Sequence, residues 1–203
     1  MKRGRIIILS GPSGSGKTTL YQKLLKDPAF KRKLVKSLSV TTRAARPGEK
    51  DGRDYCFISK KQFFSKQKKG EFLESMKVFD NYYGTPQDQI DQNLDKGKNV
   101  LLCIDVQGAA VVVRRRKDAV KIFIKTPSLK DLKLRLEQRA TEDAEKLKLR
   151  LKTAKKELKE VGKYDYVVIN DVLSRAYREL ARILSAEVLG GVKKRKLNPA
   201  LSR

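Results

Sequence analysis

SGPSGSGKTTL, residues 10–20, follows the apolar run Ile6-Ile7-Ile8-Leu9 without a break. Three glycines and a lysine share one short turn. The stretch fits G-x-x-x-x-G-K-[ST], with Gly11, Gly16, Lys17 and Thr18 at the fixed positions. Glycines let the backbone turn so that successive N–H groups point at phosphate oxygens, and a following helix adds its positive end. Lys17 can then reach the outer phosphates, and the Thr18 hydroxyl can ligate Mg²⁺. A flexible turn is the plain alternative. A chance match in a chain this long is rare, on the order of one in a hundred at a glycine frequency of ~7%. An apolar strand before the loop and a helix after it supply the context the motif requires. Gly11, Pro12, Ser13, Gly14, Ser15, Gly16, Lys17, Thr18 and Thr19 are the candidate nucleoside triphosphate site.

Outward from this loop, apolar runs alternate with helical patterns. RIIILS (5–10) reads as a buried strand and residues 16–26 as the helix after it. LVKSLSV (34–40), NVLLCID (99–105), VKIFIKT (120–126) and YVVIN (166–170) read as further strands. Thr85-Pro86 reads as an N-cap followed by proline at the first helical position, with Gly97 as the stop. Ser128 caps a segment that carries Leu129, Leu132 and Leu136 on one face. Thr141 opens a charged helix that runs to about residue 161. Ser174 starts the last helix, with Tyr177, Leu180, Leu184 and Val188 inward and Gly190-Gly191 as its end. Such alternation predicts an α/β fold: a mostly parallel sheet flanked by helices. Two stretches interrupt it. Residues 38–85 carry glycine, charge and short aromatic runs and are expected to form a small inserted antiparallel lobe. Residues 130–160 are helical and rich in both charge signs. The core is then 1–37, 86–129 and 161–191, and the basic tail 192–203 is expected to be disordered.

The chain has 203 residues, which suits one such domain. No apolar stretch approaches the ~18 residues of a spanning helix, so no membrane partner is expected. The N-terminus lacks a small-residue cleavage site and reads as a strand rather than a signal peptide. Cys56 and Cys103 have no metal-ligand spacing and read as reduced thiols, which predicts a cytoplasmic protein. The net charge of +25 suits anionic partners, and non-specific polyanion binding is an open secondary property; a basic bias unrelated to function explains it as well. The absence of His removes the commonest general base. Monomer and homodimer are both left open.

A second phosphate site is suggested by SLSVTTRAARPGEKDGRDYCF, residues 37–57. Arg43 and Arg46 lie close together after a strand, Tyr55 follows a glycine turn, and GEFLE (70–74) and NYYGTP (81–86) come downstream. Two arginines and two tyrosine hydroxyls make a clamp for a dianionic monophosphate. An exposed basic loop would explain the arginines but not the tyrosines.

At this point the chain resembles the guanylate kinase family, which phosphorylates GMP from ATP. GPSGSGKTT, S-V-TTR-x-x-R-PGE-x-x-G-x-x-Y, GEFLE, NYYGT, IDVQGA, R-x-x-x-R and YDYVVIND carry the resemblance in order, from about residue 5 to 189. The resemblance implies that Arg43, Arg46, Tyr55 and Tyr83 hold the GMP phosphate and that Ser39, Glu74, Thr85 and Asp105 read the guanine. It implies that Arg135, Arg139 and Arg150 close over the transferring phosphoryl from a lid, that Asn170 lies near the adenine, and that Lys17 and Arg43 act in catalysis with ATP and Mg²⁺. Read from residues alone, Arg135 and Arg139 share a helical face and favour function over ion pairing with Glu137, Glu142, Asp143 and Glu145, whereas Arg150 fits either. One departure stands out: Cys103 occupies a position, two before Asp105, that is usually acidic in the family. The competing readings are a binding module of the same fold, which the intact phosphate loop argues against, a nucleic-acid binder, and a kinase for another monophosphate.

Overall fold

The computed structural model describes residues 3–139 and 144–188. Two sheets organise it. The larger is parallel throughout and comprises β1 (Ile6–Ser10), β2 (Leu34–Lys36), β7 (Asn99–Cys103), β8 (Val120–Lys125) and β9 (Tyr166–Ile169), in the order β2-β7-β1-β8-β9. β1 lies at its centre with every residue buried. Its side chains alternate between faces, as a strand's period of two requires. Ile7 and Leu9 pack with Leu20 and Leu24 of α1 (Lys17–Lys26) and with Leu180 and Leu184 of α8 (Leu173–Val188). Ile6 and Ile8 pack on the other side with Ile90 and Leu94 of α4 (Gln87–Asp95) and Val112 of α5 (Val106–Arg115). Burying both faces of β1 this way is why RIIILS reads as a continuous apolar run.

The smaller sheet has the order β4-β3-β6-β5, built from β3 (Val40–Thr41), β4 (Cys56–Phe57), β5 (Phe72–Val78) and β6 (Asn81–Pro86). It is mixed rather than antiparallel: β3 pairs with β4 in parallel, and the other two pairings are antiparallel. Its own core of Val40, Phe63 and Phe72 is closed by α3 (Lys60–Lys68), which starts at a reciprocal cap between Ser59 and Gln62. A short helix, α2 (Pro28–Lys31), links α1 to β2. The region expected to be a lid holds α6 (Leu129–Arg139) and α7 (Ala144–Leu158), with Leu132, Leu136 and Ala154 as a second small core.

Three local expectations are corrected. LVKSLSV is not one strand. It splits into β2 and β3, which belong to different sheets, because the chain crosses between lobes at residues 37–39. Thr85 is not an N-cap: it is a buried residue of β6, and α4 starts after Pro86 with no side-chain cap. The last helix begins at Leu173, one residue before Ser174. Ser128 does cap α6, its Oγ accepting from the Asp131 N–H at 3.1 Å. Thr141, the Gly190-Gly191 stop and the basic tail lie outside the described residues.

Candidate active site

In an open parallel sheet, ligands collect at the carboxyl ends of strands where the order reverses. Here that point is β1, with β7 on one side and β8 on the other. The loop after β1 turns through Gly11, Gly14 and Gly16, all at positive φ. Two of these glycines are also fixed by close approach: a Cβ on Gly11 would come within 2.0 Å of the Ile124 carbonyl oxygen, and one on Gly16 within 2.1 Å of Asn170 Nδ2. Pro12 O accepts from the Ser15 N–H at 3.1 Å, and the Lys17 ammonium folds over the loop onto Gly11 O and Pro12 O. Ser13, Gly14, Lys17 and Thr18 line the main cleft, while Gly14, Gly16 and Thr19 border a second crevice across the loop.

Ser39, Arg46, Tyr55 and Tyr83, from the smaller sheet and its loops, form the facing wall of the same cleft. Arg43 stands behind them. It forms a bidentate pair with Glu49 (2.8 and 3.0 Å), donates from Nε to Tyr83 Oη at 3.3 Å and from Nη1 to Ala44 O at 2.6 Å, and lies 5.3 Å from the Tyr55 ring centre. Glu49 also accepts from the Arg46 backbone N–H at 2.8 Å. It is the residue that sequence reasoning missed. A carboxylate three positions after Arg46 was the available signal, and only the fold shows that it ties the Arg43 guanidinium to the Arg46 main chain.

At the cleft's far end Glu74 is buried beside Asp105. Burial pushes its carboxyl up to about 7, with Asp105 adding to the rise and the Thr85 hydrogen bond opposing it. Thr85 Oγ1 donates to Glu74 Oε1 at 2.5 Å, so its hydroxyl orients this carboxylate. Asp105 lines the cleft and caps α5 through Oδ1, accepting from the Gln107 and Gly108 N–H groups at 2.8 Å. The glycine of IDVQGA now has a reason: a Cβ on Gly108 would press to 2.9 Å from Glu74 Oε2.

The arginines expected to act as one set are divided by the phosphate loop. Arg150 lines the main cleft from α7, together with Thr153 and Glu157 on the same helical face. Arg135 borders the second crevice and donates to the carbonyls of Asn170 (2.7 Å) and Asp171 (3.4 Å). The backbone of Arg139 ends α6, and its side chain lies outside the described part. Asn170 is buried and its amide donates to Ser15 O at 2.8 Å, which pins the phosphate loop to the end of β9.

One cleft takes its lining from the phosphate loop and from the smaller lobe, with the buried Glu74 and the half-buried Asp105 at one end. The guanylate kinase family model matches residues 3–187. The chain belongs to the guanylate kinase family. It is 46% identical over 199 residues to the guanylate kinase of Wolbachia pipientis wMel, covering 98% of this chain and 96% of that one. It is 46% identical over 187 residues to that of Clostridium tetani, covering 92% and 88%. The crystal structure of guanylate kinase from Anaplasma phagocytophilum superposes with a TM-score of 0.76 at 36% identity, covering 98% of this chain and 92% of that one.

The chain therefore has the P-loop nucleotide-kinase fold expected of it, and it is a nucleoside monophosphate kinase. Among the described residues no helix is long and apolar enough to cross a membrane, and Cys56 and Cys103 are unpaired. Burial pushes the Cys103 thiol up to about 12, against the pull of Lys17 and Lys36, so it stays neutral beside the phosphate loop. No group of three or more His, Cys, Asp or Glu among the described residues could cage a metal. The Thr18 hydroxyl, which lines the main cleft, is an oxygen donor of the kind Mg²⁺ takes when it keeps most of its waters and binds one or two protein oxygens along with phosphates.

Proposed function

We propose that this chain transfers the terminal phosphoryl group of ATP to GMP, and to dGMP, by direct in-line displacement with Mg²⁺. One observation carries the reading: Lys17 and Thr18 of the phosphate loop share a single cleft with Arg46, Tyr55, Tyr83 and Glu74 of the smaller lobe. That arrangement suits a donor and an acceptor phosphate held face to face. ATP brings about four negative charges and GMP about two, so their approach needs concentrated positive charge. On this reading Lys17 takes the outer phosphates of ATP, and Arg46, Tyr55 and Tyr83 grip the phosphate of GMP. Arg43 adds charge behind them while Glu49 fixes its orientation. Arg150 on α7 closes from above, with Arg139 and Arg135 as its lid partners. The Thr18 hydroxyl would hold Mg²⁺ together with phosphates and water, and the metal would supply charge neutralisation at the donor oxygens.

A GMP phosphate oxygen forms the new bond to phosphorus as the bond to the ADP oxygen breaks. The nucleophile is already ionised, so no base is needed and the lack of His is no obstacle. Ser39, Glu74, Thr85 and Asp105 form the guanine site, with Thr85 acting through Glu74. Ionised carboxylates accept from guanine N1–H and its 2-amino group and repel the adenine N1 lone pair. Asn170 would hold the wall of the adenine crevice as well as the phosphate loop. The core spans 1–37, 86–129 and 161–191, the GMP lobe 38–85 and the lid 130–160. A cytoplasmic location fits these substrates and the unpaired thiols.

A coupled assay with ATP, Mg²⁺ and each of the four common monophosphates tests the reading. Turnover with GMP should exceed that with AMP by ~10⁴-fold in kcat/KM, because the wrong base leaves buried acceptors unpaired. Comparable rates would reduce the assignment to a generic nucleotide kinase.

A further inference from the structure

Lys36 has no part in the chemistry above, yet it sits where the two sheets separate. It ends β2, the edge strand of the parallel sheet, and β3 of the smaller sheet starts four residues later. Its Nζ donates to Asp54 O at 2.7 Å, and it lies 5.0 Å from the ring centre of Tyr21 and 5.5 Å from that of Tyr55. Tyr21 is a buried residue of α1, the helix that begins with Lys17. Tyr55 lines the cleft and meets Tyr83 edge-on at 6.1 Å. One ammonium therefore binds the donor-side helix and the acceptor-side turn together. The Tyr55 ring is shared with a second cation, Arg43, at 5.3 Å. Lys36 does not itself line the cleft, so it reaches the substrate only through Tyr55 and the turn before it. Burial pulls the ammonium down from the ordinary lysine range, a cost that a surface lysine would not carry.

We propose that Lys36 is a positioning residue for the phosphoryl acceptor: it fastens Tyr55 and the turn at Asp54 to α1, and so sets the acceptor phosphate site relative to the phosphate loop. The inference rests on the reading that Tyr55 helps to hold the GMP phosphate. The geometry matters because an acceptor displaced by ~1 Å can lose ~10²-fold in rate.

Lys36→Met keeps the apolar stem and removes the ammonium; Lys36→Arg keeps a cation that can face both rings. In steady-state assays Lys36→Met should raise KM for GMP by about tenfold, the equivalent of one lost cation–π or charged hydrogen bond. KM for ATP should stay within about twofold, and Lys36→Arg should recover most of the loss. Tyr21→Leu removes the donor-side platform from α1. It should reproduce the GMP defect, and it stands in for Lys36→Met if that variant does not fold. An unchanged KM for GMP in Lys36→Met, or an equal rise for both nucleotides, overturns the proposal. So does failure of Lys36→Arg to recover any of the loss. Wild-type protein that does not turn over GMP would instead sink the underlying assignment.

Discussion

Glu74 serves two opposed ends. Burial, with Asp105 nearby, raises its carboxyl to about 7, yet only the ionised form offers guanine's donors acceptors on both oxygens. Its folded-state pKa lies above the unfolded value, so the folded chain holds the extra proton between about pH 4.5 and 7. Stability contributed by this group therefore falls as pH rises through that window, and the full cost is present above it. Glu74→Gln removes the cost while keeping an acceptor for Thr85. The variant should melt higher than wild type at pH 8, by the equivalent of roughly 2–3 kcal/mol, with the gap closing by about pH 4.5. It should also lose about 10²-fold in kcat/KM for GMP, since its amide would face guanine's own donors. Wild-type kcat/KM for GMP should drop as pH falls through about 7. Thermal melts and pH–rate profiles on the same two proteins check all three. Gly108→Ala should give a milder GMP defect with ATP binding unchanged, because its Cβ would crowd Glu74 Oε2 without meeting substrate. Equal loss for both nucleotides would show that the glycine serves α5 instead.

At the scale of elements, the loop between β3 and β4 is ordered by Glu49, which grips Arg43 and the Arg46 N–H together. Glu49→Gln should raise KM for GMP several-fold and leave KM for ATP near wild type, as expected when one charged hydrogen-bond pair is weakened. Elements that bury a continuous apolar run, such as β1 and β8, were legible in the sequence, because burial on both faces writes itself into composition. The break at residues 37–39 was not. LVKSLSV has strand character throughout, and only the crossing between sheets parts it. Thr85-Pro86 misled for a related reason: cap residues and proline mark a helix start locally, while Thr85 is claimed by a partner in β5. Lys17 and Thr18, and Arg46 and Tyr55 that share their cleft, were readable from motif spacing. Lys36 and the need for Gly108 were not, because their partners lie on other elements and leave no periodic mark; Glu49 left a local signal in its spacing from Arg46, but only the folded loop joins it to the Arg43 guanidinium.

Over the whole molecule, 48 basic residues against 23 acidic ones make a cation that attracts both nucleotides from a distance. That attraction is screened within ~8 Å at physiological salt, so kcat/KM should fall several-fold between low and physiological ionic strength while kcat changes less. A salt-independent kcat/KM would mean the excess charge lies away from the substrates' approach. The region of α6 and α7 has a further property that belongs to the fold as a whole. Its small core of Leu132, Leu136 and Ala154 is separate from the two cores that flank the parallel sheet, and Leu158 at the end of α7 belongs to one of those larger cores. A region with its own thin apolar core can open as a cooperative unit, at a free energy well below that of global unfolding. Amides of α6 and the first turns of α7 should therefore exchange with deuterium together, earlier than those of β1 and β7, while the last turn of α7 stays protected. The same boundary would let the protein admit and release nucleotides by breathing at one small unit, with the sheet that carries the phosphate loop left intact.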